Sequence, residues 1–114
     1  MKRIAMTVLL KDDPQVIQQY EQYHAQPWPE VVKGTLDVGV QRVFIYRFGR
    51  QLFMFMEVPD DFDMDRDMPR YMADPKAKEW DELMNTFQTT VPGAPAGSTW
   101  VPMTEIYALE APSV

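Results

Sequence analysis

Along the chain the apolar and polar positions change period several times, and each change marks an element. Residues 2–10 hold Ile4, Met6, Val8 and Leu9 in a short apolar run closed by Lys11-Asp12-Asp13, which reads as a first strand. Asp13-Pro14 then supplies an N-cap followed by proline at the first helical position. At about 100° per residue, Val16, Ile17, Tyr20, Tyr23 and His24 fall in a stripe about 120° wide, while Gln15, Gln18, Glu21 and Gln22 lie outside it. The buried face of this amphipathic helix therefore carries Tyr20, Tyr23 and the chain's one histidine. Pro27-Trp28-Pro29 stops it. Pro29-Glu30 opens a second helix through Val31, Val32 and Leu36, which Gly39 can end in a left-handed conformation.

Two runs rich in β-branched and aromatic residues follow, Val40 to Phe48 and Gln51 to Val58, meeting at the hairpin signal Phe48-Gly49-Arg50-Gln51. In the second run Leu52, Met54, Met56 and Val58 share one face and Phe53, Phe55 and Glu57 the other, so this strand belongs in the middle of a sheet. Residues 59–75 carry six aspartates and read as a solvated loop with a short helix. Asp74-Pro75 repeats the capping signature, and Ala77, Trp80, Leu83, Met84 and Phe87 form another helical stripe. A Pro- and Gly-rich loop over 91–98 leads to a terminal strand over 99–109. The order β-α-α-β-β-α-β, with its antiparallel hairpin, predicts an α+β ferredoxin-like sandwich: a four-stranded antiparallel sheet with its helices on one face. The other face needs a cover, and a second copy of the chain is the simplest one, so a homodimer is expected.

Length and composition narrow the function classes. A chain of 114 residues is expected to form a single domain over 1–114, with surface scaling giving about 6,500 Å² of folded surface. Without cysteine there is no disulfide framework and no cysteine-ligated metal, which suits a reducing cytosol, and one histidine excludes a His-rich metal site. Eleven basic against seventeen acidic residues give a net charge of −6, which repels phosphate backbones and anionic membranes, so neither nucleic acid nor membrane is an expected partner. The N-terminal apolar run is too short for a signal segment, and no stretch reaches the roughly 20 residues of a membrane span. A cytoplasmic place is the expectation.

Within this frame a few residues stand out. Tyr20 and His24 are one helical turn apart on one face, so both can point into one cavity. Histidine is the natural proton carrier at neutral pH, and a neighbouring tyrosine can bond a hydroxyl-bearing ligand; a core histidine satisfied by Tyr20 or a carbonyl reads the same spacing equally. Trp28 and Trp80 can wall a sugar's C–H face or simply pack the core. Glu57, in an otherwise apolar strand, is either a surface residue at the strand's end or a second acid/base group. Asp61, Asp63, Asp65 and Asp67 alternate as in a calcium loop, but Arg66 stands where glycine is required and Met72 where glutamate is, so no metal is expected. No phosphate-binding glycine loop or nucleophile elbow occurs.

The segment from Gln19 to Glu30 contains Y-x-x-x-H-x-x-x-W-P-E and resembles the signature of the L-rhamnose mutarotase family, which also includes a second type of L-fucose mutarotase. Ile45-Tyr46, Leu52-Phe53 with Glu57, Glu79-Trp80 and the segment from Val101 to Tyr107 follow in that family's order, so the resemblance spans nearly the whole chain. It implies a dimeric α/β-barrel and a cofactor-free enzyme that interconverts α and β anomers of a 6-deoxy-L-sugar. Carried over to this chain, His24 would be the proton donor and Tyr20 and Trp80 would contact substrate; Trp28, Asp81, Tyr46 and Glu57 complete the expected substrate-binding set. Val43 and Asp81 stand where the rhamnose-type pattern has a tyrosine and a second tryptophan, and the segments 44–49, 79–84 and 92–97 look more like the fucose-type branch, which favours L-fucose over L-rhamnose. Two other readings remain open: a cofactor-free, monooxygenase-like enzyme using the same aromatic cavity, and a non-catalytic small-molecule binding domain.

Overall fold

The computed structural model describes residues 1–112; the end of the expected domain span, 113–114, lies outside it. The chain runs β1 (Lys2–Leu10), α1 (Pro14–Ala25), α2 (Pro29–Asp37), β2 (Arg42–Phe48), β3 (Gln51–Val58), α3 (Met64–Met72), α4 (Pro75–Phe87), β4 (Gln88–Thr89) and β5 (Val101–Pro102). The strands form one antiparallel sheet in the order β2-β3-β1-β4, with β5 also paired to β1. This is the α+β ferredoxin-like arrangement, and β3 lies inside the sheet between β1 and β2.

The capping signals act as read. Asp13 and Asp74 each accept a hydrogen bond from the backbone N–H two residues on, at 2.9 and 2.8 Å, and each is followed by proline at the helix start. Gly39 follows the end of α2 with φ +97°, and Gly49 turns the β2–β3 hairpin at φ +58°.

Register assigns the two sheet faces. Val43, Ile45 and Arg47 lie opposite Met56, Met54 and Leu52, toward the helices. Phe44, Tyr46 and Phe48 lie opposite Phe55, Phe53 and Gln51, on the outer face. On the helix side Val8, Leu10, Tyr20, Leu52, Trp80, Met84 and Phe87 make one buried cluster, and Met6, Val40, Met56, Val58 and Phe62 a second. Trp100 packs against both.

Two expectations are corrected. The terminal strand shrinks to Val101–Pro102, because Pro102 has no N–H to donate to the ladder and only Met103 N–H, bonded to the Ala5 carbonyl at 2.8 Å, continues it. Residues 103–110 run on as irregular backbone held to the sheet by Arg3, which pairs with Glu105 at 2.9 Å and Glu110 at 2.6 Å. Part of the last edge is instead formed by β4, directly after α4, beside Leu9 and Leu10. Nor is the aspartate run wholly solvated. Asp63 caps α3, and the Asp67 carboxylate is 1% exposed, held by Arg66, Arg70 and the Asp63 N–H. Those partners hold the Asp67 carboxyl well below the usual carboxylate range.

Candidate active site

The site grows from the polar end of the α1 stripe. The four-residue spacing stacks the Tyr20 and His24 rings, centroids 4.4 Å apart and planes 25° apart, and brings His24 Nδ1 to 2.9 Å from the Tyr20 carbonyl oxygen. A carbonyl only accepts, so Nδ1 carries the proton and Nε2 of the neutral ring holds a free lone pair. Burial pushes the imidazole below its ordinary value, with the bond to the Tyr20 carbonyl acting against this, so the neutral ring dominates at pH 7.

Tyr20 and His24 open into a cavity of about 480 Å³ between α1 and the helix side of β2 and β3, lined also by Glu21, Ile45, Arg47 and Leu52. That volume lies in the range of small-molecule sites. Glu21 and Arg47 form an ion pair that ties α1 to β2 at the wall. Behind the pair stands an aromatic backing. Trp80 meets His24 edge-on at 5.3 Å and Trp28 at 5.2 Å, and Phe87 meets the Tyr20 ring at 6.2 Å. Lys76 sits 5.6 Å from the Trp28 ring centre, a cation over an aromatic face. Trp80 is 7% exposed, packed in the core with its ring edge-on to His24.

The remaining sequence candidates separate. Tyr46 borders the cavity through its strand, but register turns its ring to the outer face, tilted against Phe53 at 6.3 Å. Glu57 is on that outer face as well, opposite Arg3 on one side and Arg42 on the other, and so does not face His24. Asp81 is half-buried on α4, where burial raises its carboxyl and the Asn85 amide partly offsets this, and it is not on the cavity wall. Among the described residues no group of three or more His, Cys, Asp or Glu side chains could hold a metal ion.

Sequence reasoning did not single out Gln88. At 6% exposed, it points into the core from β4, and its Nε2 donates to the Tyr20 hydroxyl at 3.3 Å. Its position just past the Phe87 end of the helical stripe gave no period to read, because the strand that turns it inward is only two residues long. Burial lifts the Tyr20 phenol to about 12, the nearby Asp81 charge pushes the same way, and the Gln88 bond acts in the opposite direction.

Residues 3–109 match the L-rhamnose mutarotase family. An L-fucose mutarotase of Xanthomonas campestris pv. campestris is 38% identical over 117 aligned residues, which cover 100% of this chain and 94% of that protein. The chain belongs to the L-rhamnose mutarotase family. It is accordingly an enzyme of the carbohydrate mutarotase class. Among solved structures, an L-rhamnose mutarotase of Formosa agariphila superposes with a TM-score of 0.69 at 24% identity, covering 96% of this chain and 100% of that one. The type-II polyketide cyclase that acts as tetracenomycin F2 cyclase in Streptomyces glaucescens superposes at 0.71 with 18% identity, covering 98% and 100%. At those identities both speak for the fold alone, and the cyclase carries different chemistry on it.

Proposed function

We propose that this member of the family interconverts the α and β anomers of a 6-deoxy-L-sugar, with L-fucose preferred over L-rhamnose. The carrying observation is His24: a lone imidazole on a cavity wall, its Nδ1–H spent on the Tyr20 carbonyl and its Nε2 free. In this reading Nε2 takes the proton of the anomeric hydroxyl as the bond from C1 to the ring oxygen breaks. After rotation about C1–C2 the ring recloses on the other face, and His24 returns the proton. Tyr20 contacts the sugar beside it, and the Trp80–Trp28 pair backs the histidine. The preference for L-fucose rests on the Xanthomonas relative and on Val43 and Asp81, which replace a tyrosine and a tryptophan of the rhamnose-type pattern.

The active form in this proposal is a homodimer. Phe44, Tyr46, Phe48 and Phe53 are 37–88% exposed on the outer sheet face, and the chain exposes 7939 Å² against the roughly 6,500 Å² that scaling gives a compact monomer of this size. Packing two such sheets together covers that aromatic face.

Exchange spectroscopy by NMR on equilibrated L-fucose and L-rhamnose tests the reading. Catalytic amounts of protein should speed anomer exchange, fastest on L-fucose, and His24→Ala should lower the gain about 10²–10⁴-fold, the range of general acid–base catalysis. Unaltered exchange on both sugars overturns it.

A further inference from the structure

Ring opening needs an acid at the ring oxygen as well as a base at the anomeric hydroxyl, and the carboxylates do not supply it from the cavity wall. Glu57 faces the other side of the sheet, Asp81 bonds Asn85 off the wall, and Glu21 is paired with Arg47. We propose that the acid is the Tyr20 hydroxyl, and that Gln88 is the positioning residue that makes it one. The inference rests on the mutarotase reading above and supplies its missing proton.

The geometry is that of a donor fixed from behind. Gln88 lies opposite Leu10 in the sheet register, which turns its side chain inward beneath Tyr20, and its Nε2–H bonds the phenol oxygen at 3.3 Å. An oxygen that already accepts from Gln88 keeps its own proton for another acceptor, and Tyr20 lines the cavity. The amide also stabilises negative charge that builds on that oxygen while the proton leaves. The proton passes from the Tyr20 oxygen to the ring oxygen as Nε2 of His24 gains the anomeric proton, so charge is conserved, and reclosure reverses both transfers.

A second observation separates this role from packing. Gln88 Oε1 is buried with no hydrogen-bond partner among the described residues. A buried acceptor without a partner is a cost that leucine or methionine of similar volume would avoid, so the glutamine is not there for the core. What it provides is its N–H. The phenol, lifted by burial to about 12, stays protonated across the working range and is a donor throughout.

The test is a double-mutant cycle on anomer exchange. Tyr20→Phe should slow exchange about 10²-fold, and Gln88→Met about three- to tenfold, the span of one hydrogen bond. In the Tyr20→Phe background Gln88→Met should cost nothing more. Ultraviolet titration should show the Tyr20 phenol moving further up in Gln88→Met, which a packing role does not produce. Gln88→Glu gives an independent readout should the methionine variant fold poorly. Once ionised, its carboxylate can only accept, so it draws the Tyr20 proton away from the sugar, and exchange should fall with rising pH where the natural protein's does not. Equal losses from Gln88→Met in both backgrounds, or a flat pH profile for Gln88→Glu, overturn the positioning role. Unchanged exchange in Tyr20→Phe overturns the acid, while loss in His24→Ala still upholds the mutarotase reading; no loss in His24→Ala overturns that reading itself.

Discussion

The backbone carbonyl of Tyr20 accepts the Nδ1 proton of His24 at 2.9 Å, and this one bond decides which ring nitrogen meets the cavity. A residue one turn up the same helix thereby sets the tautomer of the residue below it. In ¹⁵N-detected NMR of labelled protein at neutral pH, Nε2 should show the shift of a bare imidazole nitrogen and Nδ1 that of a protonated one. The reverse pattern removes Nε2 as the base.

Acid should inactivate the enzyme through the same ring. Burial holds the imidazole below its ordinary 6.5, so the neutral base persists somewhat into acid, and kcat/KM should fall with a midpoint below pH 6.5. Stability follows the same sign. The unfolded chain binds the extra proton first, so the His24 contribution is complete above pH 6.5 and is lost as pH drops through the lower folded value. Comparing pH-dependent melting of the natural protein with His24→Gln isolates it.

Sugar preference should respond at Val43. Its side chain lies on the helix side of β2, two residues from the cavity-lining Ile45, where the rhamnose-type pattern has a tyrosine. Val43→Tyr should raise the L-rhamnose to L-fucose ratio of kcat/KM by about tenfold, the order of one gained hydrogen bond. An unmoved ratio takes Val43 out of specificity.

Phe44→Asp should separate the proposed dimer. Phe44 is 44% exposed on the outer sheet face, and a carboxylate there is costly to bury against a partner. Light scattering should give the mass of one chain for the variant and of two for the natural protein, with circular dichroism unchanged. A natural protein that runs as a monomer ends the dimer proposal.

Gly39→Ala should destabilise the fold without touching the site. Its φ of +97° lies where L side chains are strained, and an added Cβ would stand 3.2 Å from Pro59 Cγ. The cost should be about 1–2 kcal/mol, read as a lower Tm with exchange kinetics retained below it.

Periodicity reached much of this molecule and stopped at identifiable places. The helix stripes of α1 and α4, their Asp-Pro starts, the β2–β3 hairpin and the interior position of β3 were legible because each depends on local spacing or on a capping atom a few residues away. The Tyr20–His24 contact was legible for the same reason. Which face of the sheet takes Glu57 and the Tyr46 ring was not legible, because a strand has two faces and the choice between them follows from what lies across the sheet. Gln88 was missed because nothing within a few residues of it reveals Tyr20, sixty-eight positions earlier.

The amino-acid sequence by itself determined the fold class, the helix that carries the single histidine and the family signature around it, since all of these are short-range patterns of side-chain size and polarity. Only the tertiary structure decided which polar groups meet. It turned Glu57 away, left Asp81 off the cavity wall and set Gln88 against the Tyr20 oxygen, because sheet register and layer packing, both long-range, choose which face each side chain enters.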